Sequence, residues 1–159
     1  MNNVKKKNIS IKLSKIFINK KAYHNYFIEE KFCAGIVLEG WEVKSIRSKK
    51  INFSNSYIIY QKHEMYLINS NIQPLPISSN NMFCDPIRKR KLLLNTHEID
   101  SLSHKIKNIG YTLVTLSLFW KRSWCKLEIG LAKGKTLRDK RMDLKKNEWN
   151  KEKLRILKK

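Results

Sequence analysis

From Tyr111 the chain alternates apolar and polar positions, with Val114, Leu116, Leu118 and Trp120 on one side and Thr115 and Ser117 on the other. A period of two predicts a strand. Past Lys121, Arg122 and Ser123, the residues Cys125, Leu127, Ile129 and Leu131 alternate with Trp124, Lys126 and Glu128, so the two runs pair as an antiparallel hairpin. The turn has no glycine, which leaves its geometry open. Ser56 to Tyr60 and Glu64 to Asn69 form a second hairpin, and Tyr26 to Leu38 reads as a long strand. Several short strands rich in β-branched and aromatic residues predict a small closed barrel.

The period changes after Asn95. Ile99, Leu102, Ile106 and Ile109 recur at helical intervals behind an Asn95-Thr-His-Glu98 capping pattern, and Gly110 supplies a stop. A shorter helix covers Gly40 to Ser48. Residues 72–81 hold two prolines and a polar run and read as the main loop. The adjacent acids Glu29 and Glu30 point to opposite sides of their strand, which makes them poor partners for acid–base work.

With 159 residues the chain is long enough for one domain and too short for two sizeable ones. Its net charge of +21 changes the functional picture more than its length does. Residues 1–21 carry seven lysines and no acid, and residues 138–159 carry ten cations and four acids. These ends have too little apolar surface to repay the entropy of ordering them alone. The arrangement expected is therefore a basic extension over residues 1–18, a barrel over 19–137 and a basic tail over 138–159 that is disordered when free and helical only where RNA neutralises its lysines. Such charge calls for a polyanionic partner, with nucleic acid ahead of an anionic membrane surface. No run reaches the roughly 18 apolar residues of a membrane span, and Lys12 and Lys15 interrupt the N-terminal apolar stretch, so a cytoplasmic protein is expected.

Cys33, Cys84 and Cys125 form no paired motif and read as reduced thiols. Neither the cysteines nor His24, His63, His97 and His104 have metal-site spacing, so no metal and no cofactor is expected. The chain has none of the common phosphate-loop or hydrolase signatures. Residues 19–26 instead join two lysines, an imidazole and two phenols, the combination that holds phosphates and stacks on unpaired bases. Arg88 to Lys91 reads as a second RNA-contacting basic run, ahead of strand leucines at 92–94.

Ordered motifs run along the rest of the chain: Asn19-Lys-Lys-Ala22, His24, Tyr26-Phe-Ile-Glu-Glu30, Ala34-Gly-Ile36, Glu42-Val-Lys-Ser45, Asp85-Pro86, Lys91-Leu-Leu-Leu94, Glu98-Ile-Asp100, Ile129-Gly-Leu-Ala-Lys-Gly-Lys135 and Asp139-Lys-Arg141. In this order they resemble the small protein B family of SsrA-binding proteins, over roughly residues 19–159. The resemblance implies a mainly β fold with peripheral helices, a closed antiparallel barrel related to the oligonucleotide-binding fold. It implies binding of the tRNA-like domain of tmRNA, without catalysis, and delivery with elongation factor Tu to stalled ribosomes, by a chain expected to be monomeric. By position it assigns tmRNA contacts to Asn19, Lys20, His24, Cys33, Leu93, Lys126, Lys133 and Gly134. It assigns ribosomal contacts, near the decoding centre and along the empty mRNA channel, to Lys135, Arg138, Asp139, Lys140, Arg141, Trp149, Ile156 and Leu157. Cys33 replaces a glutamate common in the family, and Tyr23 and Asn25 replace the arginine and acid that flank its histidine. Competing readings are a generic basic RNA-binding or ribosomal protein and an RNA-cleaving enzyme built on His24.

Overall fold

A computed structural model of the chain describes residues 15–76, 84–107 and 109–157. Nine strands are described: β1 (Lys15–Ile18), β2 (Tyr26–Ile36), β3 (Ile51–Asn52), β4 (Tyr57–Gln61), β5 (Glu64–Ile68), β6 (Asn71–Ile72), β7 (Arg90–Leu93), β8 (Tyr111–Lys121) and β9 (Trp124–Gly134). The described helices of six residues or more are α1 (Lys20–Asn25), α2 (Gly40–Arg47), α3 (Thr96–Lys107) and α4 (Leu137–Ile156). All ladders of the main sheet are antiparallel. They run β8-β4-β5-β7-β2-β9 and return to β8, closing the ring expected from the strand pattern. β3 and β6 pair separately. Leu67, Leu92, Leu113, Leu127 and Ile129 fill the interior, and Ile46 of α2 and Leu102 of α3 reach the same core.

Two bulges change what alternation alone predicts. Thr115 pairs with Ile129 and Ser117 with Glu128, so Leu116 has no partner of its own across the ladder. An extra residue reverses the side on which later residues fall. Leu118 thus joins the interior with Leu113, whereas Val114 and Leu116 pack outside with Ala22 and Ala132. Gly130 leaves room for this outer cluster, since a Cβ there would lie 2.9 Å from Leu116 Cδ1. The second bulge, between Ile28 and Glu30, brings both adjacent acids to one edge instead of opposite sides. Glu29 accepts from the Tyr111 hydroxyl at 3.0 Å and Glu30 pairs with Lys105.

Further expectations change at the edges. Residues 15–18, assigned to the unordered extension, form β1 and pair with β8; residues 1–14 lie outside the described residues, as do 77–83, most of the tip of the main loop. Ile109, expected on the packed face of α3, is 99% exposed, because α3 ends at Lys107. The tail expected to lack order in the free chain is α4, and it starts one residue before the expected boundary. Thr136 and Asp139 close its first turn by a reciprocal capping box, and no proline or glycine interrupts the turns beyond it. The β8–β9 turn, whose geometry the sequence leaves open, holds Arg122 at φ 56°, and the β4–β5 turn holds Lys62 and His63 at 50° and 60°.

Candidate nucleic-acid interface

The outer face of β2, β9 and β8 carries two groups of the predicted residues. At one end lies α1. Asn19 caps it, accepting from Ala22 N at 3.0 Å, while Asn19 Nδ2 donates to Thr115 O at 3.0 Å and its backbone N donates to Leu116 O at 2.8 Å. Asn19 is only 3% exposed. Its amide is consumed by the fold, so the structure makes it the anchor of α1 rather than an RNA-facing group. The bulge that frees Leu116 also aims two consecutive carbonyls, Thr115 O and Leu116 O, at this anchor. Ala22 then seats α1 on Val114, Leu116 and Ala132, leaving Lys20, Tyr23 and His24 outward. His24 Nδ1 lies 3.1 Å from Asn25 Oδ1. Lys31 Nζ sits 5.5 Å from the Tyr23 ring centre.

A cleft of about 420 Å³ separates α1 from α4, lined by Lys20, Tyr23, His24, Lys135, Asp143 and Lys146 among others. Lys135, assigned to the ribosome-contacting group, is already engaged here. Its ammonium donates to Tyr23 O at 2.9 Å and to Asp143 at 2.8 Å, and lies 5.0 Å from the Phe27 ring centre. With a side chain only 10% exposed, it is a tie between α1, β2 and α4 rather than a free cation. Asp139 is likewise occupied: Thr136 donates to it from both backbone and hydroxyl, which holds its carboxyl below the ordinary 3.8. Arg138, Trp149, Ile156 and Leu157 are exposed along α4, and Lys140 and Arg141 complete its basic first turns.

The second group lies further along the same face. Gly35 pairs with Leu93 on one side and Lys126 on the other, and directly paired residues share a face. Cys33, two residues before Gly35, is exposed on that face, and Leu93 is 54% exposed. Gly35 is what lets the group lie flat, because a Cβ there would stand 3.1 Å from Leu93 Cβ. Glu128, opposite Cys33, pairs with Lys15 at 3.0 Å. Burial raises the affinity of this carboxyl for its proton, but donation from Ser117 and Lys15 outweighs it and leaves the pKa below 4.5. Ala132, beneath α1, lies six steps along β9 from Lys126, about 20 Å along a strand. Lys133 does not join this patch. It alternates to the other side, facing Phe27 and Tyr111 at the barrel's end, next to Gly110, while Gly134 is exposed beside Tyr26.

The basic run Arg88 to Lys91 departs most from expectation. Arg90 and Glu42 are both fully buried, with Arg90 Nε donating to Glu42 Oε1 at 2.7 Å. Arg90 also donates to Ser70 and to Pro86 O. Arg88 reaches both Glu42 and Glu39, and Lys91 pairs with Glu64. Arg88 and Arg90 are therefore held by carboxylates of the fold, Lys91 is paired at the surface, and Lys89 is exposed.

A family described as "SmpB protein" matches residues 16–159 of the sequence. The chain belongs to the SmpB family. An SsrA-binding protein of Buchnera aphidicola subsp. Acyrthosiphon pisum is 66% identical over 156 residues, covering 98% of this chain and 96% of the relative. Another, of Buchnera aphidicola subsp. Schizaphis graminum, is 61% identical over 155 residues, covering 97% of this chain and 95% of that one. A chain from the solved structure "tmRNA-SmpB: a journey to the center of the bacterial ribosome" superposes with a TM-score of 0.63 at 41% identity, covering 76% of this chain and 85% of its own. The SmpB-family match begins inside β1, consistent with that strand being part of the folded unit. For this SmpB-family chain, sequence reasoning missed three structural contributors: Gly35 as the flat centre of the patch, Thr136 as the cap of α4, and Glu42 as the counterion of Arg90. The Thr136-Leu-Arg-Asp139 spacing was a readable signal for the second. The other two depend on which strands become neighbours.

Proposed function

We propose that this chain is an RNA-binding factor of trans-translation that binds tmRNA and carries it to stalled ribosomes. The observation that carries the reading is the shared outer face: α1, presenting Lys20 and His24, and the Cys33, Leu93 and Lys126 patch lie on one side of the barrel about 20 Å apart. A single RNA can cover both, with cations holding phosphates and the exposed Tyr23 and His24 rings discriminating bases. It works by binding rather than catalysis, as a cytoplasmic monomer, with elongation factor Tu in the delivery complex. Asn19 and Lys135 act by positioning α1. The exposed cations and apolar residues of α4 enter the mRNA channel, with Arg138 to Arg141 nearest the decoding centre, where RNA neutralises the lysines.

Two measurements test this. Labelled tmRNA bound to the full chain should resist excess tRNA and ribosomal RNA. Displacement at stoichiometric levels would reduce the chain to a generic basic RNA-binding protein. A chain ending at Arg138 should keep tmRNA binding and lose peptide tagging on stalled ribosomes. Normal tagging by the shortened chain would remove the role given to α4.

A further inference from the structure

Trp124 is the most exposed aromatic residue of the barrel, at 73%, although it opens a strand whose alternate residues form the core. Trp120, its near neighbour across the β8–β9 turn, packs against that core and takes the Arg47 guanidinium 5.8 Å from its ring centre. Alternation along β9 puts Trp124 on the side of Lys126 and Glu128, which is the side of Cys33, Gly35 and Leu93. Cations surround it: Lys121 is directly opposite in register, Arg122 occupies the turn, and Lys126 lies two residues along β9. An indole held in water forfeits the burial that makes tryptophan stabilising in a core, so its place here is explained by what it meets outside.

We propose that Trp124 is a stacking platform for an unpaired base of the bound RNA, extending the patch of Cys33, Leu93 and Lys126 to the tip of the β8–β9 hairpin. Lys121, Arg122 and Lys126 hold the phosphates on either side of that base. Two features favour RNA over a protein partner: Lys121, Arg122 and Lys126 flank the residue along the hairpin, and the indole is 73% exposed at its tip, open to a planar group. The inference rests on the tmRNA reading and gives that surface a residue that selects single-stranded over fully paired RNA.

The test uses the full chain and tmRNA. Trp124→Ala should weaken binding about tenfold, Trp124→Phe should retain most of it, and neither should change the slope of log affinity against log salt. Lys126→Ala should instead lower that slope by about one. In protein labelled with 5-fluorotryptophan, the resonance assigned through Trp124→Phe should shift on RNA addition more than that of Trp120. Unchanged affinity for Trp124→Ala together with an unmoved resonance would overturn the proposal, as would a loss of affinity matched by a lower melting temperature. Should the resonance shift equally with bulk ribosomal RNA, stacking stands and the tmRNA reading falls.

Discussion

Arg90 and Glu42 form an ion pair from which water is excluded on both sides, with Nε and Oε1 2.7 Å apart. The pair joins β7 to the first turn of α2, and Glu42 also accepts from the Glu39 backbone N, completing the capping box of that helix. One carboxylate therefore serves the helix start and both arginines. Burial pulls the Arg90 pKa down while Glu42 pushes it back up, the balance expected when a partner replaces water. Glu42→Gln leaves a buried guanidinium without its counterion and should cost about 3–5 kcal/mol in urea unfolding. Glu39→Gln, whose carboxylate is half exposed beside Arg88, should cost about 0–1 kcal/mol. Equal losses from the two would mean that burial contributes nothing to the pair.

The same pair marks where the sequence stops being legible. Arg88 to Lys91 has the composition of an RNA-binding run, and only the packing of β7 against α2 and β5 reveals that Arg88 and Arg90 face the carboxylates of Glu39 and Glu42 and Lys91 that of Glu64. The hairpins β4–β5 and β8–β9 were readable because their residues alternate locally and their partners are close in sequence. The bulges at Leu116 and between Ile28 and Glu30 were not, because an unpaired residue is defined by the register of the opposite strand. β1 was hidden among lysines, since four residues on an edge carry too short a pattern to announce a strand. At the candidate site, the chemistry of Lys20, His24 and Lys126 could be read directly. The closure of Asn19 and Lys135 into the fold required knowing which carbonyls and carboxylates surround them.

Asn19 and Lys20 are neighbours with separable roles. Asn19→Ala removes the cap of α1 and strips buried carbonyls of their donor, so it should lower stability by about 1–3 kcal/mol. Lys20, exposed at the first position of α1, contributes charge rather than packing. Lys20→Ala should leave the melting temperature unchanged while weakening tmRNA binding and flattening its salt dependence. A stability loss for Lys20→Ala matching that for Asn19→Ala would contradict this division.

Cys33 and Cys125 report on opposite sides of the same sheet. Cys125 is buried, and burial pushes its thiol up to about 12, so almost no thiolate is present near neutral pH. Cys33 is exposed beside the Leu93 and Lys126 patch. Brief iodoacetamide treatment at pH 8, read by peptide mass spectrometry, should modify Cys33 and spare Cys125. Saturating tmRNA should then protect Cys33. Labelling of Cys33 at an undiminished rate in the complex would place the RNA on another face.

The start of α4 should respond to acid through Asp139. Its carboxylate accepts from Thr136 backbone and hydroxyl, and these bonds hold its pKa below the ordinary 3.8, aided by Arg138 and Lys135 nearby. A depressed value means that the folded helix end prefers the charged form. The stabilisation is therefore complete above 3.8 and is lost as the pH falls below it through the depressed value. The negative charge also lies at the positive end of the helix dipole, which acts in the same direction. Backbone 13Cα shifts of residues 137–143 should move toward unstructured values on acidification below this range. In Asp139→Ala those shifts should start closer to unstructured values at neutral pH and lose most of this acid dependence. A wild-type first turn that keeps its helical shifts at pH 2 would show that the Thr136–Asp139 capping box does not hold the start of α4.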